Sequence, residues 1–154
     1  RASGQGWEKQ RKLRVHDEVG EHLFRRLIGI YLTGTTEISV EAATRFDPYA
    51  VVLESAFTSA RALAGRVYWF LPGAGLVAGN KYDSLSRIGK VRSPVMVLHG
   101  DRDPTVPYEH GQELFEAANE PKMGLFPAAA GHNDLYDFGA ARAVIAFVKQ
   151  HIDE

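Results

Sequence analysis

Four short apolar runs, each followed by polar or glycine-containing sequence, are distributed along the chain. They are Leu27–Leu32, Val51–Glu54, Pro94–His99 and the weaker Lys122–Phe126. Their apolar residues are continuous rather than alternating, which is typical of parallel strands covered by helices on both faces. The pattern therefore predicts about four mainly parallel β-strands.

Between these runs, apolar residues recur at the three- and four-residue spacing of helices. The spacing predicts helices at 9–24, Glu37–Arg45, Tyr108–Asn119 and Ala140–Ile152. Alternation of strand and helix favours stacked βα units with right-handed crossovers. We expect one α/β domain over residues 1–154, made of a polar N-terminal helix within 1–26 and a core over 27–154.

The aromatic and glycine-rich stretch 61–90 interrupts this alternation and is longer than most connections in compact domains. One interpretation is a helix followed by a packed loop. The other is a flap over a substrate pocket, lined by Tyr68, Trp69, Phe70 and Leu71. Both interpretations remain open at this point.

Composition limits the class of partner. The chain has 154 residues with 45% hydrophobic and 24% charged content, enough for one globular core. A net charge of −1 gives no overall attraction to polyanions. The excess of Lys and Arg in 1–26 fits a solvated helix face better than a nucleic-acid site. We expect neither a nucleic-acid nor a membrane partner, because no apolar run is long enough to cross a bilayer.

The chain contains no cysteine. This excludes a disulfide framework, a thiolate metal site and a cysteine nucleophile. It also favours a reducing compartment, and we expect the protein to be cytoplasmic.

Candidate chemistry follows two of the predicted strands. Asp101 and Asp103 come directly after the third, and His132 and Asp134 follow the fourth by a short loop. Ligands of open α/β sheets bind beyond the carboxyl ends of the strands, so these side chains should emerge at one edge. A carboxylate that orients an imidazole there forms half of a hydrolytic relay.

Each of these residues has a simpler alternative. Asp103 precedes Pro104, and its role could be limited to forming a turn. His132 could be a surface-loop histidine. Asp101 fits a loop or capping role better than that of the acid. A metal cluster is a further alternative, but its spacing resembles no known ligand pattern, so we expect no metal or cofactor. Its members would be His99, Asp101, Asp103, His132 and Asp134.

The segments PVMVLHGDRDPTVP (94–107) and GHNDLYDFG (131–139) closely resemble the C-terminal part of α/β-hydrolase-fold serine hydrolases of the esterase and acyl-peptidase-like kind. VVLESAFTSARALA (51–64) looks like a strand and loop of the same family, in which Ser55 and Ser59 are structural. The resemblance covers about residues 46–152. It implies a partial α/β-hydrolase fold, with Asp103 as the catalytic acid and His132 as the catalytic base.

The nucleophile of this family lies in a G-x-S-x-G turn between a strand and a helix, and the chain has no such motif. The corresponding segment is LIGIYLTGTTEISVEAATRF (27–46), which brings Thr33 nearest to that position. The β-branch of threonine would crowd the turn. Ser39 is a weaker candidate, about 9 Å further along the predicted helix. An absent nucleophile is also open.

Two functions follow from the resemblance. The first is a carboxylic ester hydrolase acting on small acyl esters, with Tyr68–Leu71 lining an acyl pocket. The alternative is a non-catalytic, degenerate hydrolase domain used for binding or oligomerisation. Because half a sheet leaves an unpaired strand edge, we also expect a homo-oligomer that completes it.

Overall fold

Residues 30–31, 36–78 and 82–152 are described by the structure, a computed structural model. The helix predicted at 9–24 and the nucleophile candidate Thr33 lie outside the described residues. The described part contains the sheet, its covering helices and both loops that carry the candidate acid and base.

A parallel sheet runs through the middle of the described chain. Its strands are β1 (Ile30–Tyr31), β2 (Val51–Glu54), β3 (Val95–Leu98) and β4 (Lys122–Leu125), arranged in the order β1-β2-β3-β4. Every neighbouring pair is parallel. β2, β3 and β4 have four residues each, and β1 has two described residues. Three strands therefore make up most of the described sheet. The predicted partial parallel sheet is therefore confirmed, and residues 27–29 and 32 of the first predicted strand lie outside the described residues.

Seven helical elements accompany the sheet within the described residues. They are α1 (Thr36–Phe46), α2 (Ala60–Val67), α3 (Ala74–Ala78), α4 (Leu85–Ile88), α5 (Tyr108–Ala117), the 3₁₀ helix Leu135–Phe138 and α6 (Ala140–Ile152). The last has the bounds that the sequence predicts, and α1 is one residue longer at each end. α5 ends two residues early because Ala118 is extended, with ψ 146°.

Two hydrophobic clusters lie on opposite faces of the sheet. Val51, Leu53, Val95 and Val97 pack against α1, α4 and α5 on one face. The intervening residues of the same strands, Val52, Met96 and Leu98, pack against α6 and the 3₁₀ helix on the other. Successive strand residues point to opposite faces of the sheet, and both faces are covered by helices. The residues on each face must therefore be apolar. This is the physical origin of the continuous apolar runs.

The stretch 61–90 is more helical than the sequence indicates. It contains most of α2 together with α3 and α4. Ser59 caps the N-terminus of α2, because its Oγ accepts a hydrogen bond from Ala62 N at 3.1 Å. α2 and α3 pack closely, since a Cβ on Gly75 would lie 2.9 Å from Arg61 O. None of the helices in the described residues has the length and hydrophobicity needed to span a bilayer.

Candidate active site

Asp103 lies in the loop between β3 and α5, with its side chain fully buried. Its Oδ1 accepts hydrogen bonds from the backbone N–H groups of Thr105 at 2.7 Å and Val106 at 2.8 Å. The residue therefore forms the local turn that its position before Pro104 suggests. The same two bonds hold the carboxylate in one orientation and leave Oδ2 for another partner.

That partner is His132, whose Nδ1 lies 2.6 Å from Asp103 Oδ2. An ionised carboxylate is an acceptor only, so Nδ1 carries the proton and donates. In the neutral ring the lone pair is then on Nε2. The imidazole side chain is 13% exposed, so it is held on one side and accessible on the other. This arrangement suits a general base.

Three contacts bring the loop of Asp103 against the loop of His132. A Cβ on Gly100 would lie 2.2 Å from Ala130 O, so only glycine allows the two backbones to come this close. Arg102 N donates to Ala130 O at 2.9 Å. Asp101 Oδ1 accepts from Ala129 N at 2.6 Å. Asp101 thus links the two loops through the backbone.

His99 contacts both the carboxylate of Asp103 and the loop that follows it. It is fully buried at the end of β3, its Nε2 donates to Val106 O at 2.9 Å, and the same nitrogen lies 3.4 Å from Asp103 Oδ2. Burial lowers the pKa of His99, which keeps the ring neutral. From the sequence alone, His99 is a candidate metal ligand only. Its position at the end of a buried strand was the available signal for a structural role.

His110 is a second buried histidine close to the site, on α5. Its Nδ1 accepts the hydroxyl of Thr58 at 2.8 Å. Burial, and to a smaller extent the positive charge of Arg66, lowers the pKa of His110 to about 4. Sequence reasoning missed this residue, because a single histidine in a helical pattern carries no distinguishing signal.

The residues of the metal alternative mostly bind protein atoms. Asp134 Oδ1 accepts from Gly131 N at 2.6 Å, and Asp101 and Asp103 are bound as described above. Within the described residues, no group of three or more His, Asp or Glu side chains is arranged to hold a metal ion.

The hydroxyl candidates are less well defined than the acid and base. Ser39 lies in α1 and is 3% exposed. Ser55, directly after β2, is fully buried and its Oγ donates to His132 O at 3.3 Å. Thr33 has no described position. The assignment of the nucleophile therefore stays a prediction.

The four candidate pocket residues follow the end of α2 and are exposed. Trp69 is 81% exposed and Phe70 66%. The rings of Tyr68 and Trp69 each contact Phe70 edge-on, with centroids 6.3 and 6.2 Å apart. Leu71 is exposed as well, and the role of this exposed apolar surface in binding stays a prediction.

Comparison with known proteins identifies the architecture. No family model matches the chain. It is 32% identical over 105 residues to alpha/beta hydrolase domain-containing protein 17B of Homo sapiens, an alignment covering 66% of this chain and 33% of that protein. Among solved structures, a puromycin-hydrolyzing peptidase of Mycobacterium tuberculosis superimposes with a TM-score of 0.61 at 20% identity, over 78% of this chain and 21% of that one. The chain has an α/β-hydrolase fold, and its relative is an alpha/beta hydrolase domain protein.

This α/β-hydrolase-fold chain is also similar to the esterase domain of a Rhodothermus marinus protein. The TM-score is 0.53 at 17% identity, with 73% of this chain and 57% of that chain covered. The α/β-hydrolase-fold chain spans about a third of the curated relative named above. The similarity thus supports the resemblance that the motifs at 94–107 and 131–139 imply.

Proposed function

We propose that the chain carries the acid and base of a hydrolytic site for small carboxylic esters. Asp103 is the acid and His132 the base. The observation that carries the proposal is the 2.6 Å hydrogen bond between His132 Nδ1 and Asp103 Oδ2, at the carboxyl edge of a parallel sheet. Asp103 and His132 follow each other along the chain in the order found in α/β-hydrolase sites.

The chemistry requires a hydroxyl nucleophile near His132 Nε2. That nitrogen takes the hydroxyl proton as the oxygen attacks the ester carbonyl, and the buried carboxylate of Asp103 stabilises the imidazolium that forms. The proton then passes to the leaving alcohol. Water, deprotonated by the same nitrogen, then attacks the acylated nucleophile. This step releases the carboxylic acid product, and the proton held by His132 restores the hydroxyl.

We propose Thr33 as the nucleophile, with Ser39 as the weaker candidate. Thr33 is favoured by its place between the first strand and the first helix of the core. Ser39 lies within α1 and is 3% exposed, so a substrate would need a local opening to reach it.

The apolar surface Tyr68–Leu71 is the proposed acyl-binding element. An acyl chain lying on it would remove exposed aromatic surface from water, which favours binding. Ester rather than amide substrates are supported by the likeness to the Rhodothermus marinus esterase domain. The likeness to a peptidase makes amides the comparison substrate for the assay.

The test is hydrolysis of p-nitrophenyl acetate and butyrate by the wild-type chain and by His132→Ala. Removal of a general base is expected to lower kcat by about 10²- to 10⁴-fold. Asn133→Ala, a change at the exposed neighbouring residue, serves as the control and should retain activity. Equal turnover in wild type and His132→Ala would exclude His132 as the base.

The second candidate function is a non-catalytic binding module. It is favoured by the absence of a G-x-S-x-G motif from the given sequence. A fluorophosphonate probe distinguishes the two, since stoichiometric labelling of one hydroxyl indicates an enzyme and mapping the labelled peptide identifies the nucleophile. Absence of labelling together with absence of turnover supports the binding module.

A further inference from the structure

Two successive residues at the end of β2 contact the segment that carries His132. Tyr136 OH donates to Glu54 Oε1 at 2.7 Å, and Ser55 Oγ donates to His132 O at 3.3 Å. These contacts join parts of the chain that are 82 and 77 residues apart. The end of β2 therefore contacts the histidine segment at two points, four residues apart.

The end of β2 is itself rigidly held by β3. Glu54 pairs with Leu98 in the sheet, and Ser55 N donates to Leu98 O at 2.9 Å. Leu98 lies five residues before Asp103 on the same strand-and-loop unit. The end of β2 thus contacts both the strand that leads to Asp103 and the segment that carries His132.

Glu54 is a buried carboxylate, 4% exposed, and a buried charge is costly without hydrogen-bond partners. Tyr136 is 49% exposed, yet its hydroxyl reaches inward to this carboxylate. The hydrogen bond to Glu54 raises the pKa of Tyr136 to about 12, and burial adds to the effect. The phenol thus stays a donor through the neutral and alkaline range.

Ser55 has an unusual backbone. Its φ is 45°, in the left-handed region, although it is neither glycine nor asparagine, and it is fully buried. Such strained residues persist where the surroundings fix them and are frequent at functional sites. Here the conformation turns the chain immediately after β2, with the hydroxyl directed at the backbone of His132.

We infer that Glu54, Ser55 and Tyr136 are positioning residues for His132. Asp103 fixes one nitrogen of the ring, but one hydrogen bond does not fix the backbone from which the ring extends. The contacts from β2 hold that backbone at His132 itself and at Tyr136, four residues later, and so keep Nδ1 within reach of the acid. This inference rests on the proposed function for its catalytic meaning, whereas its geometric part can be tested without turnover.

The experiment follows the Nδ1 proton of His132 by NMR of the ¹⁵N-labelled chain. Tyr136→Phe removes one hydroxyl, and Ser55→Ala removes the other. In each variant we expect the Nδ1 proton to exchange with water about tenfold faster, the scale of one hydrogen bond. Glu54→Gln keeps an acceptor for the tyrosine hydroxyl and should retain the slow exchange of the wild type. Tyr82→Phe, at a tyrosine of similar exposure, should leave the signal unchanged.

A purely structural role would lower the melting temperature of Tyr136→Phe but leave the Nδ1 exchange of the folded protein as in wild type. That outcome in both Tyr136→Phe and Ser55→Ala would overturn the inference. If Tyr136→Phe does not fold, Ser55→Ala decides alone.

Activity assays separate this inference from the proposed function. If the wild type hydrolyses p-nitrophenyl acetate, Tyr136→Phe should lower kcat about tenfold with KM unchanged. If the wild type shows no turnover while the exchange effect is present, the ester-hydrolase proposal fails and the positioning contacts stand.

Discussion

His99 and Gly111 are in such close contact that a Cβ on residue 111 would lie 2.5 Å from His99 Nδ1. Gly111 is in the first turn of α5, and His99 directly follows β3. The absence of a side chain at Gly111 lets the helix pack directly on the imidazole. The imidazole in turn holds the carbonyl of Val106 beside the acid.

Gly111→Ala should therefore destabilise the protein. The added methyl group would have to displace a buried ring or the helix backbone, and overpacking of this kind costs about 1–3 kcal/mol. The free energy of unfolding, measured by urea titration, checks the prediction. Displacement of His99 should also lower any esterase activity, because Val106 N is one of the two donors to Asp103.

Gly65→Ala is the matched control. Gly65 lies inside α2, and no atom lies within 4 Å of a Cβ built there. Alanine in a helix interior is more stable than glycine by roughly 0.5–1 kcal/mol. Opposite signs for the two glycine variants are expected, and equal effects would argue against the close contact with His99.

Asp103→Asn should abolish most of the activity without unfolding the chain. The amide oxygen can still accept from Thr105 N and Val106 N, but an amide NH₂ facing His132 favours the tautomer with the proton on Nε2. A base without a free Nε2 lone pair loses about 10⁴-fold in kcat. Steady-state kinetics and circular dichroism of the variant provide the measurement.

Asp101→Asn separates the two aspartates. Its amide oxygen can still accept from Ala129 N, so the contact between the two loops is retained. We expect kcat close to that of wild type. A loss as large as that of Asp103→Asn would instead assign Asp101 a part in the chemistry.

Stability should fall on mild acidification because of His110. Its folded-state pKa of about 4 lies below the value of about 6.5 for an unfolded histidine. Between these values the unfolded chain binds more protons, so the free energy of unfolding falls as the pH drops from about 6.5 to about 4. Each such group contributes up to about 1.4 kcal/mol per pH unit.

His110→Gln removes the titrating group but keeps a polar side chain near Thr58. Urea unfolding of both proteins from pH 7 to pH 4.5 isolates the contribution of His110, because other carboxylates and histidines affect both alike. The free energy of unfolding of His110→Gln should depend less steeply on pH than that of the wild type. An equal pH dependence in both proteins would contradict a pKa of about 4 for His110.

The edge of the described sheet at β4 leads us to predict self-association. β4 is the last strand of the described sheet, and Met123 in it is 39% exposed. Unpaired edge strands invite pairing with another chain, so we expect a homodimer at micromolar concentration. Size-exclusion chromatography with light scattering measures the mass directly, and a clean monomer would count against this prediction.

The fold could largely be predicted from the sequence because the central strands β2 and β3 consist almost entirely of apolar residues. Val51–Glu54 has the same bounds in the prediction and the structure, as does α6. The helices within 61–90 could not be predicted in detail, since α3 is five residues long and exposes Leu76 and Val77. Such a short helix lacks the repeated apolar face on which periodicity depends.

The candidate site was predictable only in part. Asp103 and His132 stand out because the motifs around them resemble those of a known fold and each follows a strand. Glu54, Ser55 and Tyr136 do not stand out, because their contacts form between segments about 80 residues apart. No local pattern encodes such pairs.

The sequence by itself determined the parallel sheet, the helices on its two faces and the edge at which an acid and a histidine emerge. These follow from local periodicity and from the geometry of parallel strands, which need no knowledge of distant contacts. Only the tertiary structure decided which nitrogen of His132 meets Asp103, that His99 stays neutral behind the acid, and that β2 holds the histidine segment. Those relationships depend on burial and on distances between loops, and both exist only once the chain has folded.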